Sequence, residues 1–212
     1  MFSGALLQSA KDALAILGQS KILKTSYLAG GTAAALYLGH RISVDFDFFT
    51  NEPFDSEIIK TGLEKLGRFE LDRFEENTIW GYFNEVKFSL FLYKYPRIAK
   101  GEMFEGVDIV SCEDILAMKL AAICTRATKK DFIDIYYLVQ KYFSFEQGFD
   151  FYDKKFGQLE NNKFTVLRSM QYFGDVDESE MPKMLVELDW DKLKDFFQKE
   201  TIRLAKSPLF NI

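Results

Sequence analysis

The sequence of 212 residues is poor in several residue types that carry protein chemistry: it has two cysteines, one histidine and four prolines. One histidine and two distant cysteines, Cys112 and Cys124, are too few soft ligands for a zinc site. If their segment is helical, the two cysteines lie about three turns apart, which excludes a disulfide within that helix. We therefore expect two free thiols in a reducing cytoplasm.

The chain also lacks long apolar runs and an excess of positive charge. No stretch has the length and apolar character of a membrane span, and the N-terminal segment lacks the basic start of a secretory signal. We therefore expect a cytoplasmic protein without a membrane partner. With 27 basic and 32 acidic residues, the net charge is −5. Because proteins that coat nucleic acid are basic, any contact with RNA must be local.

The remaining composition is that of a folded protein, with 48% hydrophobic and 28% charged residues, and 22 phenylalanines predict an aromatic core. The pattern changes near residue 110 from mixed strand and helix to helix alone. We expect an α+β fold in which residues 1–110 form an α/β core with a mixed sheet flanked by helices. Residues 111–212 are expected to form a helical region that packs on the core and contributes to the site.

Hydrophobic periodicity predicts the elements along the chain. An amphipathic helix over 55–66 should turn Ile58, Ile59, Leu63 and Leu66 inward. The segment that follows the strand 85–93 and runs to Gly106, with Pro96 in it, is predicted as a loop, and 175–182 as an acidic loop. The other predicted helices cover 4–18, 32–39, 113–124, 130–142, 146–156, 160–172 and 190–206, and the predicted strands cover 25–29, 43–49, 68–74, 78–83, 85–93 and 107–110.

The strand predicted over 43–49 carries two aspartates. Side chains alternate along a strand, so Asp45 and Asp47 share a face with Ser43. The opposite, apolar face is expected to consist of Val44, Phe46 and Phe48. Two adjacent carboxylates repel each other, and a hard divalent cation such as Mg²⁺ or Mn²⁺ relieves that repulsion while also binding phosphate oxygens. Asp45 and Asp47 are therefore candidate metal ligands.

A Gly-Gly-Thr turn precedes this strand by about a dozen residues. Gly30 and Gly31 permit close approach of the backbone, and a helix starting at Thr32 or Ala33 presents free amides and the positive end of its dipole to an anion. These groups are candidates to bind a triphosphate. Arg41, just before the aspartate strand, is a candidate to neutralise a phosphate or an acidic neighbour.

Lys119 lies within a helix that is apolar on nearly every side and is therefore expected to be buried. Its ammonium either reaches solvent or a carboxylate past a packed stem, or points into a cleft at a phosphate. The next helix carries Asp131 and Asp134 on one face. They either support the helix N-terminus and pair with a local cation, or complete a site with Lys119.

The motif GGTAAALYLGHRISVDFDFF at 30–49 resembles motif I of the nucleotidyltransferase superfamily and, more narrowly, the AbiEii/AbiGii family of nucleotidyltransferase toxins. The segment 112–138, with K-L-x-A, then Arg, then D-x-x-D, resembles the second conserved region of that family. The stretch VKFSLFLYKYP at 86–96 resembles its middle strand.

The resemblance implies a nucleotidyltransferase-like fold and a metal-dependent transfer of a nucleotide from a nucleoside triphosphate to an acceptor hydroxyl. The acceptor would be an RNA, such as a tRNA end, or a protein, and the enzyme would be a toxin with a cognate antitoxin. The implied catalytic residues are Asp45, Asp47, Lys119 and Asp131, with Mg²⁺ on the first two, and the implied nucleotide-binding residues are Gly30, Gly31, Thr32, Arg41, Ser43 and Asp134.

One departure from the superfamily concerns a third acidic ligand on a following strand. Strand parity matches that position to Ser89 or its neighbour Lys87, and neither is acidic. Either two aspartates suffice, another acid substitutes, or the chain is a non-catalytic nucleotide-binding module. Without nucleotide, we expect Lys119 to pair with Asp45, Asp47 or Asp131 in a shared cleft. A local basic patch for RNA is predicted at Arg126, Lys129 and Lys130.

Overall fold

The computed structural model describes residues 1–157 and 163–210. In these residues a single mixed sheet has seven strands in the order β3-β4-β5-β2-β1-β7-β6. The strands are β1 Ser26–Ala29, β2 Asp45–Thr50, β3 Phe69–Glu75, β4 Thr78–Phe83, β5 Val86–Leu92, β6 Glu102–Phe104 and β7 Val107–Ile109.

Helices surround the sheet, and every element of the described residues after β7 is a helix. The boundary expected near residue 110 falls in the short connection between β7 and the fourth helix. None of the described helices combines the length and apolar character needed to cross a bilayer. The helices are α1 Gln8–Gln19, α2 Gly30–Leu38, α3 Ser56–Leu66, α4 Cys112–Ala122, α5 Lys129–Lys141, α6 Phe145–Phe156, α7 Lys163–Ser169, α8 Gly174–Glu178 and α9 Trp190–Ala205.

The aspartate strand β2 lies in the middle of the sheet, antiparallel to β1 and parallel to β5. Phe46 and Phe48 point from it into the core, as the alternation of side chains predicts. In the register with β5, Asp45 lies opposite Lys87 and Asp47 opposite Ser89. The residue across from Asp47 is therefore a serine, at the position that strand parity identified.

One hydrophobic core runs through both halves of the chain, from Leu6 to Phe210, and is rich in phenylalanine. Helix α4 packs against α2, α5 and α6. It is buried on most sides, as its composition predicts, and Lys119 within it is 7% exposed. Ser111 caps α4 by accepting a hydrogen bond from the amide of Asp114. Cys112 and Cys124 are free thiols.

Two side chains predicted to face the core are exposed instead. Val44 is 46% exposed, because β2 begins at Asp45 and Val44 lies beyond the paired part of the strand. Ile58 is 63% exposed. Helix α3 packs against β3 and β4 near the edge of the sheet, and this contact covers only the narrow stripe formed by Ile59 and Leu63.

Four predicted segments differ in structure. The helix predicted over 4–18 begins only at Gln8, because Ser3–Ala5 form a short 3-10 turn and Leu6 forms a β-bridge with Ser43. The loop predicted up to Gly106 contains β6, which forms a hairpin with β7 through Glu105 and Gly106, both at positive φ. The acidic loop predicted at 175–182 contains α8, which is anchored by the buried side chain of Val176. Helix α2 begins at Gly30, two residues before the predicted start. Of the helix predicted over 160–172, α7 is present, and residues 160–162 lie outside the described residues.

Candidate functional site

The two aspartates of β2 lie on the same face of the strand and are half-buried. Both line a cavity of about 230 Å³, named here the polar cavity, between β2, the N-terminus of α2 and the start of α5. Lys119 and Asp131 line the same cavity. The expected placement of Lys119 in one cleft with Asp45 and Asp47 is therefore confirmed.

The Gly-Gly pair brings the start of α2 against the aspartate strand. Gly30 has a φ of +64°, and a Cβ there would lie 2.5 Å from Asp47 Oδ2. A Cβ at Gly31 would lie 2.5 Å from Arg41 Nη2. No side chain of the described residues caps the N-terminus of α2. Its first amides are thus left for an anion beside Asp47, as the sequence predicts.

Thr32 and Ser43 hold the beginning of β2 against α2. The Thr32 hydroxyl hydrogen-bonds Ser43 Oγ at 2.9 Å and also the carbonyl oxygen of Asp45. Both side chains are buried, although both residues line the polar cavity. Their hydroxyls therefore fix the backbone that carries Asp45.

Ser89 acts directly on Asp47. Its hydroxyl donates to Asp47 Oδ1 at 2.9 Å from the neighbouring strand β5. This bond restricts the rotation of the carboxylate and leaves Asp47 Oδ2 next to Gly30.

Beneath the polar cavity, two cations and two carboxylates form a buried network. Lys119 Nζ lies 2.8 Å from Asp131 Oδ1 and 2.8 Å from Asp134 Oδ2. Arg41 binds Asp134 in a bidentate manner, through Nε to Oδ1 and Nη2 to Oδ2, each at 2.8 Å. Lys119 was expected to pair with Asp45, Asp47 or Asp131; of these it pairs with Asp131, and it also pairs with Asp134. The network is balanced in charge.

His40 completes the shell around Asp134. Its Nε2 lies 2.8 Å from Asp134 Oδ1, so the carboxylate has two partners on each oxygen. The other ring nitrogen of His40, Nδ1, is buried and has no hydrogen-bond partner among the described residues. Asp134 is 0% exposed and lies behind the cavity wall.

Proximity of opposite charges outweighs burial in this network. Burial by itself raises the pKa of Asp134, but the charges of Arg41 and Lys119 and the hydrogen bonds from Arg41 and His40 hold that pKa well below its ordinary value. Burial by itself lowers the pKa of Lys119, but the charges of Asp134 and Asp131 raise it above its ordinary value. For His40 burial prevails, and its pKa is lowered. At neutral pH Lys119 and Asp134 are therefore charged, and the imidazole of His40 is neutral.

Asp131 links the network to the start of α5. Its Oδ2 accepts hydrogen bonds from the Thr128 amide at 3.2 Å and from Thr128 Oγ1 at 2.8 Å, forming a capping box. Its Oδ1 binds Lys119. The sequence suggested either a supporting role at the helix N-terminus or a partnership with Lys119, and the structure shows both.

A second cavity, of about 350 Å³, adjoins the polar cavity and shares Gly31, Asp47, Lys119, Arg126 and Asp131 with it. We name it the apolar cavity. The sheet contributes the aromatic side chains of Phe49, Trp80 and Phe91 to its lining, and α4 contributes Ile115 and Met118.

The sequence analysis did not identify this aromatic wall as part of the site. The signal for it was the alternation along β5, which places Phe91 on the same face as Ser89 and Lys87. An apolar cavity lined by aromatic side chains suits a flat ring system such as a nucleobase.

The predicted basic patch is divided by the structure. Arg126 and Lys130 line the polar cavity. Lys129 points elsewhere: its Nζ donates to the carbonyl oxygens of Asp177 and Ser179, each at 2.7 Å. Lys129 thus fastens α5 to α8 and is not part of the cavity.

The oxygen donors of Asp45 and Asp47 fit a divalent cation such as Mg²⁺, since both carboxylates face one cavity. Within residues 1–157 and 163–210, no group of three or more acidic, histidine or cysteine side chains is arranged to hold an ion. Phosphate oxygens of a bound nucleotide would complete the shell, which is the usual arrangement for Mg²⁺ in nucleotide sites.

Comparison with known proteins identifies a family that matches most of the chain. The family described as "Nucleotidyl transferase AbiEii toxin, Type IV TA system" matches residues 12–103 and 93–210. An uncharacterised protein of Aquifex aeolicus (strain VF5) is 33% identical over 205 residues, which cover 92% of this chain and 95% of that protein. Both matches span the aspartate strand, α4 and α5.

Among solved structures, the nucleotidyltransferase toxin MenT4 from Mycobacterium tuberculosis H37Rv has the same fold, with a TM-score of 0.58 at 14% identity. The match covers 95% of this chain and 86% of that one. The expected nucleotidyltransferase-like α+β fold is thereby confirmed. Because the match to this family covers most of the chain, the chain belongs to the AbiEii nucleotidyltransferase toxins of type IV toxin–antitoxin systems.

Proposed function

We propose that the protein transfers a nucleotidyl group from a nucleoside triphosphate to an acceptor hydroxyl, in a reaction that depends on Mg²⁺ or Mn²⁺. The observation that carries this proposal is the meeting of Asp45, Asp47 and the uncapped N-terminus of α2 at one cavity. Carboxylates at one side and free amides at the other suit a cation and the triphosphate that it accompanies.

In this proposal the triphosphate lies in the polar cavity against the amides of Gly30 and Gly31. Lys119, held by Asp131 and Asp134, and Arg126 face the same space and neutralise phosphate charge. Arg41 and Asp134 are positioning residues, since each is engaged by the other and Asp134 does not line the cavity. The nucleobase stacks in the apolar cavity against Trp80 or Phe91.

The reaction is an in-line displacement. The oxygen of the acceptor hydroxyl attacks the α-phosphorus, the bond from that phosphorus to the bridging oxygen of the β-phosphate breaks, and pyrophosphate leaves. The hydroxyl proton passes to water at the open side of the cavity. Asp45 and Asp47 would hold the divalent cation, which would stabilise the charge that develops on the phosphoryl oxygens. Ser89 restricts the orientation of the Asp47 carboxylate through its hydrogen bond.

A second candidate is a non-catalytic nucleotide-binding module. The observation that favours it is Ser89, which stands where many nucleotidyltransferases carry a third carboxylate. Such a module would bind nucleotide in both cavities and transfer none. Its binding would still depend on Gly30 and Gly31.

The deciding experiment incubates the protein with each α-labelled nucleoside triphosphate, Mg²⁺, and either total RNA or total protein. If label appears in one acceptor fraction, and is lost when EDTA is added or when the Asp47→Asn variant is used, the result supports the transferase and identifies the class of acceptor. Nucleotide binding without label in any fraction would establish the second candidate. A cognate antitoxin, the partner implied by a type IV system, is expected to suppress the labelling or its effect on growth.

A further inference from the structure

Among the described residues, Lys87 is the cation that the strands of the sheet contribute to the two cavities. It lies on β5 directly opposite Asp45, and its side chain lines the apolar cavity. We propose that Lys87 takes the charge-neutralising role of a second metal ion, so that the site binds a triphosphate with one divalent cation and with the Lys87 ammonium at the α-phosphate. The proposal rests on the proposed function, because it assigns the charges within that nucleotide site.

The carboxylates limit the number of metal ions that this site can hold. Two-metal sites place their ions about 3.5–4 Å apart, and carboxylate ligands offset the repulsion between the ions. On the β5 side of Asp45 and Asp47, the neighbouring side chains are Lys87 and Ser89, and neither is acidic. A second divalent cation on that side would meet an ammonium instead of an acid. The two aspartates of β2 therefore match one divalent cation in charge.

Asp131 is the other carboxylate that lines the polar cavity, and both of its oxygens are already engaged. One oxygen binds Lys119, and the other accepts two hydrogen bonds from Thr128. To hold a metal ion, Asp131 would have to give up either its ion pair or the capping box of α5. It is therefore not a substitute for the missing third acidic ligand.

The Lys87 ammonium has no competing partner. Lys87 is exposed and forms no ion pair with a carboxylate of the described residues. Lys119 and Arg41, in contrast, are each held by carboxylates of α5. Because paired residues of neighbouring strands project from the same face of a sheet, the side chains of Lys87 and Asp45 start out side by side. Lys87 is thus free to meet an anionic ligand on the aspartate face of the sheet.

The place of Lys87 in the sheet determines which phosphate it meets. Strand β5 flanks β2 on one side, whereas α2 begins at the end of β1 on the other side. With the nucleobase in the apolar cavity and the triphosphate at the amides of α2, the α-phosphate lies where the two cavities meet, at Asp47. Lys87 approaches that point from β5, opposite the amides that hold the outer phosphates.

This position gives Lys87 a role in the displacement at the α-phosphorus. Negative charge spreads over the oxygens of the α-phosphoryl group as the acceptor oxygen attacks and pyrophosphate leaves. The Lys87 ammonium offsets that charge and keeps its proton throughout, so it acts by charge and hydrogen bonding alone. A charge that is fixed on the sheet takes the place of an ion that the chain has no third acid to hold.

The first test determines how many cations accompany the nucleotide on the full-length protein. The α,β-methylene analogues of ATP, GTP, CTP and UTP, which cannot be cleaved at the reacting bond, are compared by titration calorimetry in MnCl₂, and the one that binds most tightly is kept. Electron paramagnetic resonance then follows the addition of Mn²⁺ to that complex. We expect the spectrum of isolated ions at every Mn²⁺ concentration, because two ions about 4 Å apart would couple magnetically.

Substitutions at Lys87 test its charge directly. Lys87→Met removes the charge and should weaken binding of the analogue by about tenfold, whereas Lys87→Arg keeps it and should bind within about threefold of the wild type. Lys87→Asp places an acid opposite Asp45 and should produce the spectrum of a coupled Mn²⁺ pair. Lys65, an exposed residue of α3 that lines neither cavity, is the matched control. Lys65→Met and Lys65→Asp should change neither affinity nor spectrum.

The labelling assay separates this inference from the proposed function. A coupled Mn²⁺ pair in a wild type that labels an acceptor would overturn the inference and leave the transferase standing. Equal analogue binding by Lys87→Met and the wild type would also overturn the inference. Isolated Mn²⁺ and binding that depends on the charge of Lys87, in a protein that labels no acceptor, would uphold the inference and reject the transferase.

Discussion

Arg41 and Asp134 are joined by two parallel hydrogen bonds of 2.8 Å each, and both side chains are buried. They lie 93 residues apart in the chain, one just before the aspartate strand and the other on α5. This pair ties the α/β half to the helical half directly beneath the polar cavity. Lys119 and His40 attach to the same carboxylate, so the position of every cation at the base of the site depends on Asp134.

Removing the Asp134 carboxylate should therefore destabilise the fold severely. Asp134→Ala leaves Arg41 and Lys119 buried beside each other without their shared counter-ion, which costs about 3–5 kcal/mol of unfolding free energy. Urea denaturation followed by circular dichroism measures the change. Asp191→Ala, at a highly exposed aspartate of α9, is the control and should shift the unfolding free energy by less than about 0.5 kcal/mol. A small loss for Asp134→Ala would show that the network is dispensable for stability.

The two aspartates of β2 should behave in the opposite way. Asp45→Asn and Asp47→Asn each remove one of two neighbouring like charges, so the unfolding free energy without ligand should hold or rise slightly. Nucleotidyl transfer and any inhibition of bacterial growth should be abolished. Thermal unfolding and the labelling assay check the two halves of this prediction. Full activity in either variant would contradict the metal-site assignment.

His40 makes a specific prediction for pH dependence. Its pKa is lowered in the folded protein, so between about pH 6.5 and the folded pKa the unfolded chain takes up a proton that the native state does not. Stability should therefore be fully present above pH 6.5 and should fall on acidification, by at most about 1.4 kcal/mol per pH unit.

His40→Gln keeps a donor for Asp134 without a group that titrates in this range, and should flatten the curve. Because the chain has one histidine, this component of the pH dependence belongs to His40 alone. Parallel curves for the two proteins between pH 7 and pH 5 would disprove the assignment.

Basic residues near the site should differ in their effects on RNA binding. Arg126→Glu and Lys130→Glu reverse charges that line the polar cavity, so they should weaken binding and flatten its salt dependence. Lys129→Ala removes hydrogen bonds to α8 and its following turn, so it should lower the melting temperature and leave the salt slope unchanged. Anisotropy titrations of a fluorescein-labelled oligoribonucleotide at 50 and 200 mM salt distinguish the two patterns. Equal salt slopes for all three variants and the wild type would rule out the patch.

How far the sequence predicts this site depends on the range of the interactions. Strand alternation is a property of successive residues, and it correctly placed Asp45 and Asp47 on one face. It left Ser89 and Lys87 as alternatives on β5, and the register of β2 with β5 decided that Ser89 lies opposite Asp47. The apolar composition of α4 was sufficient to bury Lys119, and burial required a carboxylate partner, which is Asp131. Each of these inferences needed only local geometry and the cost of burying a charge.

Other features were decided by contacts between distant parts of the chain. Val44 and Ile58 follow the apolar pattern but are exposed. Val44 lies just outside the paired part of β2, and Ile58 lies on α3, which packs near the edge of the sheet. The choice of Asp134 as the partner of Arg41, the burial of His40, and the aromatic wall of Phe49, Trp80 and Phe91 depend on how β5, α4 and α5 pack around β2.

The sequence by itself determined the chemistry of the site, because which groups share a strand face or a helix follows from fixed backbone periods. Only the tertiary structure decided which charges neutralise one another and which remain for a ligand. Lys119 and Arg41 satisfy Asp131 and Asp134, whereas Arg126 is left facing both cavities. The physical reason is that an ion pair forms between groups that packing brings within about 4 Å, and no local period encodes that distance across 93 residues.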